Sequence, residues 1–204
     1  QGVSEDRISY IPNGIDPELF PEVTPPPRDD RFIVSYFGSH APGDTLETVL
    51  NAALLLQDNP VGERIFFRLI GDGASKPSLQ QMAQAMGLRN LEFLPPVPKP
   101  KLVPYAQASD AFIYSHHYMP IVVRYGLSAN KLYEYLAAAR PIVFACKSYN
   151  NPVEEAQAGI SVPPQDPPAM AEAILTLHGM SDEERFAMGQ NGRKWVLEHH
   201  DMSK

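Results

Sequence analysis

The chain has 204 residues, a net charge of −7, 44% hydrophobic and 20% charged residues, the balance of one folded soluble domain or one with a short appendage. An acidic chain is a poor general nucleic-acid binder, because phosphate backbones reward basic surfaces, and no apolar run approaches the ~18 residues that cross a bilayer. The single cysteine, Cys146 in "PIVFACK", has no internal disulfide partner and reads as structural, so a reduced, cytoplasmic protein is expected.

Apolar runs of strand length alternate along the chain with longer segments of helical period, which points to βαβ units and a parallel sheet. Strands are expected at 7–12, 31–38, 64–71, 91–94, 110–115, 141–145 and 159–163. Helices are expected at 44–57, 76–87, 99–108, 128–139, 151–158, 167–178 and 182–199, with Asp44, Ser128, Asn151, Asp166 and Ser181 as N-caps. Glu184 completes a capping box with Ser181. The stretch "TPPPRDD" (24–30) suits neither a helix interior nor a central strand and divides the chain into three parts. These are a leading connection with its own strand (1–23), the linker (24–30) and a body (31–204). Right-handed crossovers make the body an α/β, doubly wound parallel sheet, with ligand sites at the carboxyl ends of its strands. The longest carboxyl-end loop, 115–127, carries two histidines, two tyrosines and an arginine with no secondary-structure signal, as functional loops often do.

The segment "YGLSANKLYEYLAAARPIV" (125–143) puts polar groups into the first turn of an otherwise apolar helix. With Ser128 as N-cap, the amides of Ala129, Asn130 and Lys131 are unpaired donors at the positive end of the dipole, a ready phosphate site to which Lys131 adds a charge. Glu134 lies one turn on, where a carboxylate suits the vicinal hydroxyls of a ribose. The competing reading is an exposed Lys131–Glu134 pair of little energetic consequence. Gly38, in "YFGSHAPGD", ends a strand and is followed by Ser39 and His40; it fits either a nucleotide-facing turn or an ordinary one. Gly71 and Gly73 repeat the pattern without the third glycine of a dinucleotide fingerprint. His116 and His117 are adjacent, without a Cys, Asp or Glu at ligand spacing, so no metal site is expected.

Several stretches together resemble the C-terminal, donor-binding domain of GT-B glycosyltransferases of family 4: "ISYIPNGID", "RLIGDGASKPSLQQMAQAMGLRNLEFLPPV", "AQASDAFIYSH", "NKLYEYLAAARPIVFA" and "GISVPPQDPPAMAEAIL". The form "GLSANKLYEYLAA" is most similar to bacterial surface-polysaccharide transferases. The resemblance implies the Rossmann-like C-terminal half of a GT-B fold, and a retaining hexosyltransferase reaction in the full-length protein. That reaction moves a sugar from a nucleotide-sugar, UDP-linked by family frequency, to a glycan or lipid-linked acceptor in polysaccharide biosynthesis. No metal or other cofactor is implied, the nucleotide-sugar being substrate.

By the same resemblance Glu134 holds the ribose. Gly38, Ser39 and His40 join Ser128, Ala129, Asn130 and Lys131 around the diphosphate. Leu94 and Val97 bound the loop that meets the base. Lys131, Arg124 and His117 are the candidate catalytic groups. Two departures stand out. The first glutamate of the family's pair falls at Gly126, and Ser39 and Asp44 stand where many relatives carry Arg and Lys. Arg124 is expected to restore part of the missing charge. Ala139 stands where relatives often close the helix with glycine, at a cost of ~1 kcal/mol if its backbone is left-handed.

The chain starts at Gln1 and reads as the second half of a longer enzyme. Its expected partners are a nucleotide-sugar, no nucleic acid, an N-terminal acceptor domain of the same protein and, through that half, a peripheral contact with the inner face of the membrane. Alone it is expected to bind nucleotide without transferring sugar. The alternatives are a non-catalytic nucleotide-sugar-binding or regulatory module, and a GT-B-like sugar-nucleotide epimerase.

Overall fold

The computed structural model describes residues 13–19 and 31–202. Six strands, β1 (Phe32–Ser39), β2 (Ile65–Asp72), β3 (Leu91–Leu94), β4 (Ala111–Ser115), β5 (Ile142–Ala145) and β6 (Gly159–Ser161), form one sheet in the order β3-β2-β1-β4-β5-β6. Every pairing is parallel. The central strands are apolar on both faces because helices cover both, which is why "FIVSYF" and "AFIY" read as continuous runs rather than alternating ones.

One face packs against α1 (Leu46–Gln57), α2 (Lys76–Ala85) and α7 (Pro167–Gly179), through Val49, Leu50, Leu79, Met170 and Ile174. The other packs against α3 (Val103–Gln107), α5 (Asn130–Ala137) and α8 (Asp182–His199), through Ala106, Leu132, Tyr135, Leu136 and Val196. The short α4 (Pro120–Tyr125) and α6 (Pro152–Glu155) follow β4 and β5. Residues 13–19 lie beside the end of α8, where the Ile15 N–H donates to the His200 carbonyl at 2.8 Å. Among the described residues no helix is long and apolar enough to cross a membrane.

The caps at Asn151, Asp166 and Ser181 form as expected, the last with its Glu184 box. Two do not. The N-cap of α5 is Ala129, not Ser128, and no side chain caps it. Asp44 ends a 3-10 turn, leaving left-handed Thr45 at the start of α1. The loop 115–127, expected to lack secondary structure, contains α4: Pro120 supplies the fixed φ of a first helical turn and Gly126 ends it. The helix expected over 99–108 divides into a 3-10 turn at Lys99–Lys101 and α3. Ala139 is left-handed at φ 54°. The strand expected at 7–12 and the linker at 24–30 lie outside the described residues.

Candidate functional site

The site begins where the sheet opens. β1 pairs with β2 along its whole length, from Phe32–Ile65 to Ser39–Asp72. Its pairing with β4 covers only Val34–Ala111 and Ser35–Phe112. Beyond that point the two strands part, and the main chain of Phe37 meets a side chain instead of a strand. The Tyr135 hydroxyl accepts from the Phe37 N–H at 2.7 Å and donates to the Phe37 carbonyl at 2.8 Å. Buried main-chain groups need partners, and α5 supplies this one. The parting falls at the switch point of the sheet, where the chain leaves for opposite directions and ligands bind in such folds.

A crevice of about 340 Å³ opens there, at the carboxyl ends of the strands. Gly38 and Ser39 of β1, Gly71 and Asp72 of β2, and Lys131 and Glu134 of α5 line it. Pro96, Val97 and Lys99 of the loop after β3 close one side. Glu134 turns inward, its side chain only 19% exposed, and its Oε1 accepts from Lys99 Nζ at 2.5 Å. Lys131 runs across Gly38. A Cβ at Gly38 would lie 2.6 Å from Lys131 Cε and would push that side chain aside, and φ there is +147°, a conformation that favours glycine.

The Lys131 ammonium donates to Asp44 Oδ1 at 2.7 Å and to the Tyr36 hydroxyl at 2.5 Å, and it lies 4.3 Å from the Tyr36 ring centre. Burial pushes the Lys131 pKa down, and the Asp44 carboxylate opposes that shift. Burial likewise keeps Tyr36 protonated far above the usual tyrosine range. The exposed-pair reading of Lys131 does not describe this arrangement: the lysine lines the crevice and pairs with Asp44, not with Glu134. Lys131, Lys99, Asp72 and Glu134 on the walls, with Asp44 behind, sum to no excess of positive charge.

The crevice therefore brings together five of the expected residues: Gly38, Ser39, Val97, Lys131 and Glu134. Asn130 is exposed in the first turn of α5, beside Lys131. Ser128 is exposed outside the crevice, and its carbonyl accepts from Asn13 Nδ2 at 3.3 Å. Ala129 caps the helix, so the free amides of the tip are those of Asn130 and Lys131. Leu94 does not line the crevice; its carbonyl accepts from Lys76 Nζ at 2.9 Å.

His40 is fully buried against Tyr36 and Phe93, and neither ring nitrogen has a partner. Burial first, then the nearby Lys76 charge, lowers its pKa to about 4. It supports the turn without reaching the crevice. Arg124 is exposed on α4, its guanidinium 5.2 Å from the Tyr125 ring centre and away from the crevice walls, so it supplies no charge there. His117 stacks edge-on against His116 at 4.7 Å and does not line the crevice. No group of three or more His, Cys, Asp or Glu capable of holding a metal occurs among the described residues. Cys146 is buried and free, its thiol pushed up to about 11 by burial.

Gly126 explains one departure from the family pattern. Its φ is +91°, and a Cβ there would lie 2.7 Å from Asn150 Oδ1. Asn150 clamps the next residue, accepting from the Leu127 N–H at 2.6 Å and donating to its carbonyl at 2.9 Å. A glutamate here would be strained at this φ and would displace the Asn150 amide from its clamp. Tyr36, Asp44, Lys99 and Tyr135 are the site residues that sequence spacing missed, each held by a contact between distant segments.

A six-stranded parallel sheet in this order, with its crevice at the switch point, defines a doubly wound α/β domain of the kind that forms the Rossmann-like half of a GT-B fold. Residues 31–179 match the family described as glycosyl transferases group 1, and the chain belongs to that family. It is 30% identical over 105 residues to the putative colanic acid biosynthesis glycosyl transferase WcaI of Escherichia coli, covering 47% of this chain and 25% of that protein. It is 29% identical over 175 residues to alpha-D-kanosaminyltransferase of Streptomyces kanamyceticus, covering 80% and 40%.

Among solved structures, WaaG, a glycosyltransferase involved in lipopolysaccharide biosynthesis, superposes with a TM-score of 0.75 at 16% identity, covering 95% of this chain and 53% of that one. Anabaena HepE, solved with UDP-glucose, gives 0.72 at 18%, covering 92% and 52%. The chain spans less than half the length of these curated relatives.

Proposed function

We propose that this chain is the donor-binding part of a retaining glycosyltransferase, and that a nucleoside diphosphate sugar occupies the crevice between Gly38 and Glu134. The observation that carries the reading is convergence on one cavity. The Gly38–Ser39 turn of β1, Lys131 and the inward Glu134 carboxylate of α5, and the Pro96–Val97 wall, from segments far apart in sequence, line the same 340 Å³ space. The ribose hydroxyls donate to Glu134, the diphosphate meets the Asn130 and Lys131 amides, and the base rests on the Pro96–Val97 wall. Fixed dipoles and the Lys131 ammonium then stabilise the departing diphosphate.

UDP is the expected nucleotide, which HepE binds as UDP-glucose. A glycan or lipid-linked molecule of surface polysaccharide synthesis is the expected acceptor, the process with which WaaG and WcaI are associated. Acceptor binding and transfer need a further domain, so the chain alone binds donor and transfers nothing.

Titration of the purified chain with UDP, GDP and ADP tests this reading. One nucleotide should saturate, with chemical-shift changes at Asn130, Lys131 and Glu134. Glu134→Gln should weaken it roughly tenfold, by loss of a charge-assisted hydrogen bond. Failure of all three nucleotides to bind removes the donor-site assignment. A second reading, a nucleotide-sugar-binding module without catalysis, is favoured by Gly126, where the family's first acid is absent and φ and Asn150 would strain one. Sugar transfer by the full-length protein would eliminate it.

A further inference from the structure

Resting on the donor-site reading of the crevice, we infer that Lys99 is a specificity residue that reads the 2′-hydroxyl oxygen of the nucleotide, setting a preference for ribose over 2′-deoxyribose. The lysine is built into the lip of the crevice. Its 3-10 turn closes through the Lys101 N–H on the Pro98 carbonyl at 2.8 Å and the Leu102 N–H on the Lys99 carbonyl at 3.0 Å. Val97 before the turn and Leu102 after it pack against the apolar core on the α5 side of the sheet. From this anchored lip the ammonium crosses to α5, 35 positions away, and donates to Glu134 Oε1 at 2.5 Å. An ordinary surface ion pair joins two exposed side chains and is worth little. Here one partner is a crevice-lining carboxylate only 19% exposed.

The order of contacts decides which hydroxyl Lys99 meets. Lys99 holds Glu134, and one turn back along α5 Lys131 lies across Gly38. A ribose on Glu134 therefore has its base end toward the Pro96, Val97 and Lys99 wall and its phosphate end toward Gly38. The 2′-hydroxyl is the one next to the base, so it falls on the Lys99 side, and the 3′-hydroxyl falls on the other. An ionised carboxylate only accepts, and takes the protons of both hydroxyls. An ammonium only donates, through three N–H groups. One of them keeps Glu134 Oε1, and another serves the lone pairs of the 2′-oxygen, which the carboxylate cannot. Of the three residues on that wall lysine alone has a polar side chain. A site built to pair a hydroxyl discriminates strongly against the analogue that lacks it.

Calorimetric titration of the purified chain and of Lys99→Met with UDP, 2′-deoxy-UDP and 3′-deoxy-UDP tests the assignment, the same forms of GDP or ADP serving where that nucleotide saturates instead. The preference for UDP over its 2′-deoxy form should fall about tenfold in Lys99→Met, by loss of a charge-assisted hydrogen bond. The preference over the 3′-deoxy form should stay as it is. The lost charge acts on all three ligands alike, so the ratios isolate the hydroxyl. Lys101→Met removes the same charge from an exposed position on the same turn and should leave both preferences unchanged, all variants being checked for unchanged thermal melting. A wild type that binds the 2′-deoxy form as well as UDP overturns the inference. So does a preference that survives Lys99→Met, or a loss that falls on the 3′-deoxy comparison, each with UDP still bound and the donor site intact. Tighter UDP binding with unaltered ratios makes Lys99 a mere competitor for Glu134 and overturns it too. Failure of every nucleotide to bind the wild type removes the donor site itself, and the inference with it.

Discussion

Replacing Asp44 by Asn should make the empty protein less stable and its nucleotide binding tighter. Asp44 and Lys131 form a pair 2.7 Å apart, with side chains 13% and 21% exposed. Removing one partner of a buried pair leaves the other charge uncompensated, at a cost of up to ~3 kcal/mol. The amide oxygen of Asn still accepts from the ammonium, so the lost quantity is charge. The bound state responds in the opposite direction. A phosphate oxygen on the same ammonium would lie about 5 Å from the Asp44 carboxylate, and at an effective dielectric constant of ~20 the two anions repel by roughly 3 kcal/mol. Allowing for partial solvent screening, removal of the carboxylate should be worth ~2 kcal/mol to a nucleoside diphosphate, roughly thirtyfold in affinity. Calorimetric titration of UDP into both proteins, with a denaturant melt of each in its absence, reads the two effects separately. A variant that is less stable and binds UDP equally or more weakly would show that Asp44 serves only to hold the turn, and would refute this electrostatic account.

Tyr135→Phe should destabilise the chain by about 2–4 kcal/mol in a urea melt, because it leaves the buried N–H and C=O of Phe37 without partners. A loss below ~1 kcal/mol would mean that water or β4 closes the gap. His40 should set an acid limit on stability. Its folded pKa of about 4 lies below the ordinary histidine value of 6.5, so its contribution is complete above pH 6.5 and is lost as pH falls toward 4. That amounts to about 3 kcal/mol across the window, so the stability of His40→Leu relative to the wild type, read from thermal melts, should shift in the variant's favour by about that amount as pH falls.

The strand pattern was legible because a sheet covered on both faces writes its strands as unbroken apolar runs, as in "RFIVSYF" and "PIVFA". α4 was not, since "PIVV" carries β-branched residues in a run too short to show a helical period, and its end depends on Gly126 held by Asn150. The cap of α5 misled for a related reason: the Asn150 clamp fixes Leu127, and the N-cap falls at Ala129, one residue after the polar side chain best suited to capping. Charge partners were the least legible. Spacing on one helix suggests Lys131 with Glu134, whereas the fold pairs Lys131 with Asp44, 87 positions away, and Glu134 with Lys99, 35 away. Such contacts follow from topology, which periodicity does not encode.

Glu134 and Tyr135 are neighbours on α5, and that adjacency ties the crevice to the sheet. Tyr135 is fixed by two hydrogen bonds to Phe37, the residue before the Gly38 turn. Lys131, one turn earlier on the same helix, lies across that glycine. Any movement of α5 that carries Glu134 or Lys131 out of place must therefore break the hydrogen bonds that satisfy the parted edge of β1. The energy that keeps the sheet intact where β1 and β4 separate also holds the crevice-lining carboxylate and ammonium in register with the turn. Rigidity at the crevice and opening of the sheet are then one structural event, which is why the crevice wall can stand on a helix of only eight residues.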